Sequence, residues 1–64
     1  MIVNGEKMEF QDGITISELL EALSIDSNNV AVEVDMEIAE RGRFGNIKLN
    51  SNSNVEIIRF VAGG

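Results

Sequence analysis

Only one stretch of this 64-residue chain combines a helix start signal with helical periodicity. Thr15 stands three residues before Glu18. At that spacing a hydroxyl accepts from the amide of the third helical residue, while that residue's carboxylate accepts from the amide of the cap, forming a capping box. Ile14 just before the cap and Leu19 four residues after it are placed as a hydrophobic staple, which sets the angle at which the chain joins the helix. Ile16, Leu19, Leu20 and Leu23 follow the i, i+3, i+4, i+7 spacing of one face, with Ser17, Glu18 and Glu21 on the other. The pattern stops near Ser24, so the helix runs for about two turns. A ferredoxin-like fold needs two helices and is excluded. What fits is an α+β chain in which one helix lies across a mixed sheet of four to five strands, with the last strand beside the first.

The strands follow from alternation. Asn4-Gly5 is the pair best suited to the positive backbone angles of a two-residue hairpin turn, so Met1 to Val3 and Glu6 to Phe10 read as a hairpin. The period of two puts Met1, Val3, Met8 and Phe10 on the buried face and leaves Ile2 outward with Lys7 and Glu9. Val30, Val32 and Val34 alternate with Ala31, Glu33 and Asp35 as a third strand. Asp35-Met36 reverses the chain and Glu37 to Ala39 pairs briefly with that strand. Glu40 to Asn46 shows no periodicity and reads as irregular, Ile47 to Leu49 as a minimal edge strand, and Asn50 to Asn54 as a polar turn. Val55 to Val61 is the longest apolar run and the expected central strand. The predicted core is Met1, Val3, Met8, Phe10, Leu19, Leu20, Leu23, Val30, Val32, Val55 and Ile57.

Ile, Leu, Val and Phe make up about a third of the chain, enough to drive folding. The same composition narrows what the fold can do. Cysteine and histidine are both absent, which removes disulfides, thiolate nucleophiles, zinc sites and imidazole acid-base chemistry together. Eleven acidic against five basic residues give a net charge of −6, which repels nucleic acid and anionic membrane and favours basic protein surfaces. No apolar run approaches the roughly 20 residues of a membrane helix, and no signal peptide precedes the first strand, so the expected location is the cytoplasm. Gly42-Arg43-Phe44-Gly45 has the outline of a nucleic-acid-clamping GXXG loop, but it lacks flanking helices and reads as a solvated loop. The carboxylates of Glu18 and Glu21, and of Glu33 and Asp35, fall on faces that periodicity sends to solvent. The methionines read as core filler or turn residues. No catalytic residue and no metal site is expected.

The informative feature is Val61-Ala62-Gly63-Gly64. Two glycines after a stable strand make an arm without Cβ atoms, thin enough for a narrow cleft and free in its backbone angles. Four extended residues reach about 13 to 14 Å, so the body can dock outside a cleft that the arm enters, presenting the Gly64 carboxylate. The plainer alternative is a frayed end. The alternation that buries Val55 and Ile57 sends Glu56, Ile58 and Phe60 to the opposite face, where Ile2 joins them in an apolar patch expected to dock on a partner.

With the Asn4-Gly5 hairpin, Thr15-Ile16-Ser17-Glu18-Leu19-Leu20, Val30-Ala31-Val32-Glu33-Val34 and Val55 through Gly64, nearly the whole chain resembles the ThiS family, the sulfur carriers of thiamin biosynthesis. The resemblance implies a ubiquitin-like β-grasp domain over residues 1–61 and a diglycine tail over 62–64. It implies that Ala62, Gly63 and Gly64 enter partner active sites; the patch of Ile2, Ile58 and Phe60 read from the alternation is then expected to dock on the activating enzyme, the alternative being a loop that folds over it. It further implies an adenylyltransferase related to ubiquitin-activating enzymes, which uses ATP and magnesium to adenylate Gly64. A persulfide donor then leaves a thiocarboxylate, and thiazole synthase consumes its sulfur; the carrier itself keeps no bound cofactor. A carrier resembling the small subunit of molybdopterin synthase, a ubiquitin-like modifier joined to lysine, and a plain interaction module stay open as alternatives, with length favouring the thiamin carrier.

Overall fold

The structure is a computed structural model and describes residues 1–60. Among these residues the strands are β1 (Ile2–Val3), β2 (Glu6–Lys7), β3 (Val30–Val34), β4 (Glu37–Ala39) and β5 (Asn54–Arg59), and the one α-helix is α1 (Ile16–Ala22). They form one five-stranded sheet in the order β2-β1-β5-β3-β4. Asn4 and Gly5 take φ of 51° and 82°, the two left-handed residues of a type I′ turn, which joins β1 to β2 as expected. The capping box forms: the Glu18 amide donates to Thr15 Oγ1 at 3.1 Å and the Thr15 amide to Glu18 Oε1 at 2.9 Å. A helix of 7 residues is unstable alone in water, so burial of Ile16, Leu19 and Leu20 in the core holds it.

β5 is the central strand. It runs parallel to β1, with Val3 opposite Val55, and antiparallel to β3, with pairs from Val30 and Arg59 to Val34 and Val55. Met1, Val3, Leu19, Leu20, Val30, Val32, Val55 and Ile57 are buried as predicted. This is the β-grasp arrangement, one helix held against a mixed sheet whose first and last strands are neighbours.

Four expectations need correction. Met8, Phe10 and Leu23 only pack partly buried against the core, because β2 ends at Lys7 and the helix ends before Leu23. Ile16, Phe44 and Leu49 are buried in addition. The segment read as irregular contains a 3-10 turn at Arg41–Arg43, closed by the Phe44 amide on Arg41 O, and it drives Phe44 to 3% exposure. The Arg41 guanidinium ties this turn to the start of β3 by donating to Ser27 O and Val30 O, each at 3.1 Å. Ile47 to Leu49 is no sheet strand: it makes one isolated bridge, between Lys48 and Thr15. The Leu49 amide on Ile14 O and the Gly13 amide on Leu49 O, both 2.8 Å, strap it to the chain that precedes the helix. The fifth strand of the sheet is β4 instead. β5 ends at Arg59, not Val61, and Val61, the predicted last residue of the domain, lies outside the described residues.

Candidate functional site

Ala62, Gly63 and Gly64 lie outside the described residues, so the site is read from what leads to them. That is the end of β5, which is held from both sides. On the β3 side the ladder runs to the Val30–Arg59 pair, and the Phe60 amide donates to Asn29 O at 2.9 Å. On the β1 side the chain turns away at Asn4, but the Asn4 carboxamide takes over: Ile57 N–H donates to Asn4 Oδ1 at 2.6 Å, and Asn4 Nδ2 donates to Ile57 O at 3.3 Å. A side chain thus substitutes for the peptide group that a longer β1 would supply. The left-handed Asn4 of the turn and the tether on the last strand are one residue. The Asn4-Gly5 signal revealed the first role in the sequence and not the second.

The predicted docking residues are exposed: Ile2 43%, Ile58 46% and Phe60 56%. They are not one contiguous patch. Ile2 pairs with Asn54 and Ile58 with Ala31, so four residues of strand, about 13 Å, separate Ile2 from Ile58, and Glu56 lies between them. Two further exposed apolar side chains were missed, Ile38 at 76% and Met36 at 91%. Ile38 pairs with Glu33, and Glu33 with Glu56, so Ile38 shares the outer face. The expected pairing of Glu37 to Ala39 with β3 already contained that placement. Near the root of the tail Phe60 borders an open groove of about 470 Å³, whose other walls include Ser24, Asp26, Asn29 and Arg59. Among the described residues no group of three or more acidic, histidine or cysteine side chains is placed to hold a metal ion. No helix among them is long and apolar enough to cross a membrane.

Comparisons with known proteins find relatives of the same fold. The solved structure of the thiamine biosynthesis protein ThiS from Geobacter metallireducens superposes with a TM-score of 0.81 at 30% identity, covering 98% of this chain and 96% of that one. The sulfur carrier protein ThiS of Bacillus subtilis is 32% identical over 63 residues, 97% of this chain and 96% of its own length. A thiazole synthase of Paramagnetospirillum magneticum is 34% identical over 64 residues, which is all of this chain but 20% of that protein. One from Magnetococcus marinus is 32% identical over 62 residues, 19% of its length, so the chain spans about a fifth of the two synthases it matches. The ThiS family profile matches residues 1–64, end to end, and the chain belongs to the ThiS family.

Proposed function

We propose that this chain carries sulfur on its C-terminal carboxylate for thiazole formation in thiamin biosynthesis. The observation that carries the reading is the end-to-end likeness to the Bacillus subtilis sulfur carrier on a fold whose anchored central strand leads directly to Gly63-Gly64. In the first step the Gly64 carboxylate attacks the α-phosphate of ATP on an adenylating partner, pyrophosphate leaves, and the acyl group gains AMP as a leaving group. Magnesium belongs to that partner's chemistry. The terminal sulfur of a persulfide then attacks the acyl carbon and AMP departs, leaving an acyl disulfide. A second thiol cleaves this disulfide, forming a new disulfide with the donor and releasing the thiocarboxylate. With no cysteine in the chain, every thiol in this sequence belongs to a partner, and the terminus is the one place where the carrier can hold the sulfur.

Thiazole synthase is the proposed consumer. In two relatives bearing that name, a segment like this chain is part of the same polypeptide, an arrangement that suits two partners acting on one another. Ile58, Phe60 and Ile2 form the docking side, with Ile38 added, and the net charge of −6 steers the encounter toward basic surfaces. The carrier is no enzyme on this reading, and ATP dependence puts it in the cytoplasm. The test is intact-protein mass spectrometry. Incubated with the purified adenylating enzyme, ATP and magnesium, the chain should gain an adenylate. Adding a persulfide donor should then exchange one oxygen for sulfur at Gly64, and an unchanged mass under both conditions would overturn the reading.

A further inference from the structure

The ladder on the β1 side of β5 stops one step short of the strand's end. Backbone groups alternate sides along a strand. Val55 and Ile57 point toward β1, where Asn4 N–H donates to Val55 O at 2.9 Å and the Asn4 carboxamide satisfies Ile57. The next residue of that set is Arg59, whose register partner Val30 makes a pair without direct hydrogen bonds, so its N–H and C=O also face the β1 side. Among the described residues none occupies that position: β1 ended at Val3, and none pairs with the Arg59 backbone there. The open slot is therefore one donor and one acceptor on the central strand, flanked by the exposed Ile58 and Phe60.

The other two edges of the sheet are guarded in ways this one is not. β2 is two residues long and charged, and β4 is three residues long with Glu37 at its start and Glu40 just beyond it. Short, charged edges of that kind discourage pairing. The slot at Arg59 has apolar shoulders instead, and one step earlier the molecule displays what fits: a planar amide offering one acceptor and one donor.

We infer that Arg59 receives an extended segment of the adenylating partner, which adds beside β5 by two backbone hydrogen bonds and takes Ile58 and Phe60 as its apolar contacts. This rests on the carrier reading, which also supplies the reach argument. Gly64 lies five residues past Arg59, at most about 17 Å extended, so a partner holding Gly64 in its active site has its surface beside Arg59. Strand addition at an open edge is a common way to recognise a partner's backbone, and here Asn4 sets the register by ending the internal ladder at Ile57.

Amide hydrogen exchange on the whole chain tests this. In the free protein the Ile57 amide should be protected, and the Arg59 amide should exchange within about tenfold of an unstructured peptide. With saturating adenylating enzyme the Arg59 amide should slow by about a hundredfold or more. A semisynthetic chain with N-methylated Arg59 keeps the side chain and loses only the donor; it should bind the enzyme at least about tenfold more weakly than the semisynthetic chain with an unmodified Arg59. Protection of Arg59 in the free chain, at any concentration, would mean that the chain or a second copy fills the slot, and would overturn the inference. So would an unprotected Arg59, or undiminished binding of the N-methyl chain, in a complex that still forms the adenylate; in that case the carrier reading survives. Failure of the adenylate to form at all sinks both.

Discussion

Replacing Phe44 and Phe60 by alanine in turn should separate stability from recognition, because the two rings sit in opposite surroundings. Phe44 is 3% exposed and Phe60 56%. Removing a buried phenylalanine ring costs about 3 to 5 kcal/mol, through lost transfer energy and the cavity left behind. At about 0.05 to 0.15 kcal/mol per residue, a domain this small has total stability of roughly 3 to 10 kcal/mol, so Phe44→Ala should leave it marginal or unfolded. The Ser17 amide on Phe44 O, at 3.0 Å, also ties this turn to the first turn of the helix, so its loosening should weaken α1. Full burial of a phenylalanine is worth about 1.5 to 3 kcal/mol, and with more than half of Phe60 in water its truncation should cost no more than about 1 kcal/mol. For a small domain that is a fall in melting temperature of about 4 to 8 °C or less. Binding to the adenylating enzyme should respond in the opposite order, with Phe60→Ala losing about 2 kcal/mol, near thirtyfold in Kd, if the ring is a docking anchor. Thermal melts followed by circular dichroism and titration calorimetry with the enzyme give the two readings. A Phe60→Ala chain that melts like Phe44→Ala yet binds normally would show that Phe60 serves the fold, and would remove it from the docking side.

The remaining expectations concern the helix start, one turn and the tail. Thr15→Ala removes the oxygen that accepts the Glu18 amide at 3.1 Å, and urea unfolding should show a loss of about 1 kcal/mol; no loss would mean the cap contributes nothing to α1. Asp35 and Met36 form the β3–β4 turn with φ of 51° and 72°, and Met36 is 91% exposed. A left-handed residue other than glycine costs about 1 to 2 kcal/mol and the added freedom of glycine in the unfolded chain offsets about 0.4 to 1. Met36→Gly should therefore raise stability by up to about 1.5 kcal/mol, and a loss in the same melt would show that the methionine side chain holds the turn. Gly63→Phe should leave the melting curve unchanged and abolish the adenylate seen by intact mass, since a bulky ring misplaces the carboxylate in a narrow cleft; an adenylate at the native rate would show that the cleft does not select for a thin tail.

The parts of the fold legible in the sequence are those specified by local chemistry. The capping box at Thr15 and Glu18, the Asn4-Gly5 turn and the alternation of Val30, Val32, Val55 and Ile57 each depend on a few adjacent residues, and each appears as read. The Arg41–Arg43 turn was missed because a 3-10 turn has no amphipathic period, and its retention depends on distant carbonyls of Ser27 and Val30. The pattern around Leu49 reads as an edge strand, yet Leu49 is 1% exposed, since its segment is strapped to the chain before the helix by contacts far apart in sequence. On the candidate site, exposure of Ile2, Ile58 and Phe60 was legible from the period of two, but the distance between Ile2 and Ile58 was not, because it depends on the register of β1 against β5. The Asn4 tether on Ile57 joins residues 53 apart, and no local pattern announces it.

The absence of cysteine bears on how such a carrier would have to meet its partners. If the sulfur rides on the terminus, the same few residues must enter the adenylating site, meet the donor sulfur and then enter the synthase, and one tail occupies one cleft at a time. The body must therefore let go between steps, which argues against a large apolar interface of the kind found in permanent complexes. The outer face agrees with that requirement. Its apolar side chains are interrupted, with Glu56 between Ile2 and Ile58 and Glu33 between Ile38 and Glu56 along the sheet. The net charge of −6 raises the rate of encounter with basic surfaces more than it deepens the bound state. Precision then has to come from somewhere other than area. The central strand supplies it, since β5 is paired along β3 up to Arg59 and held on its other side at Ile57 by Asn4, so that a weakly docked body still presents the root of the tail in one orientation.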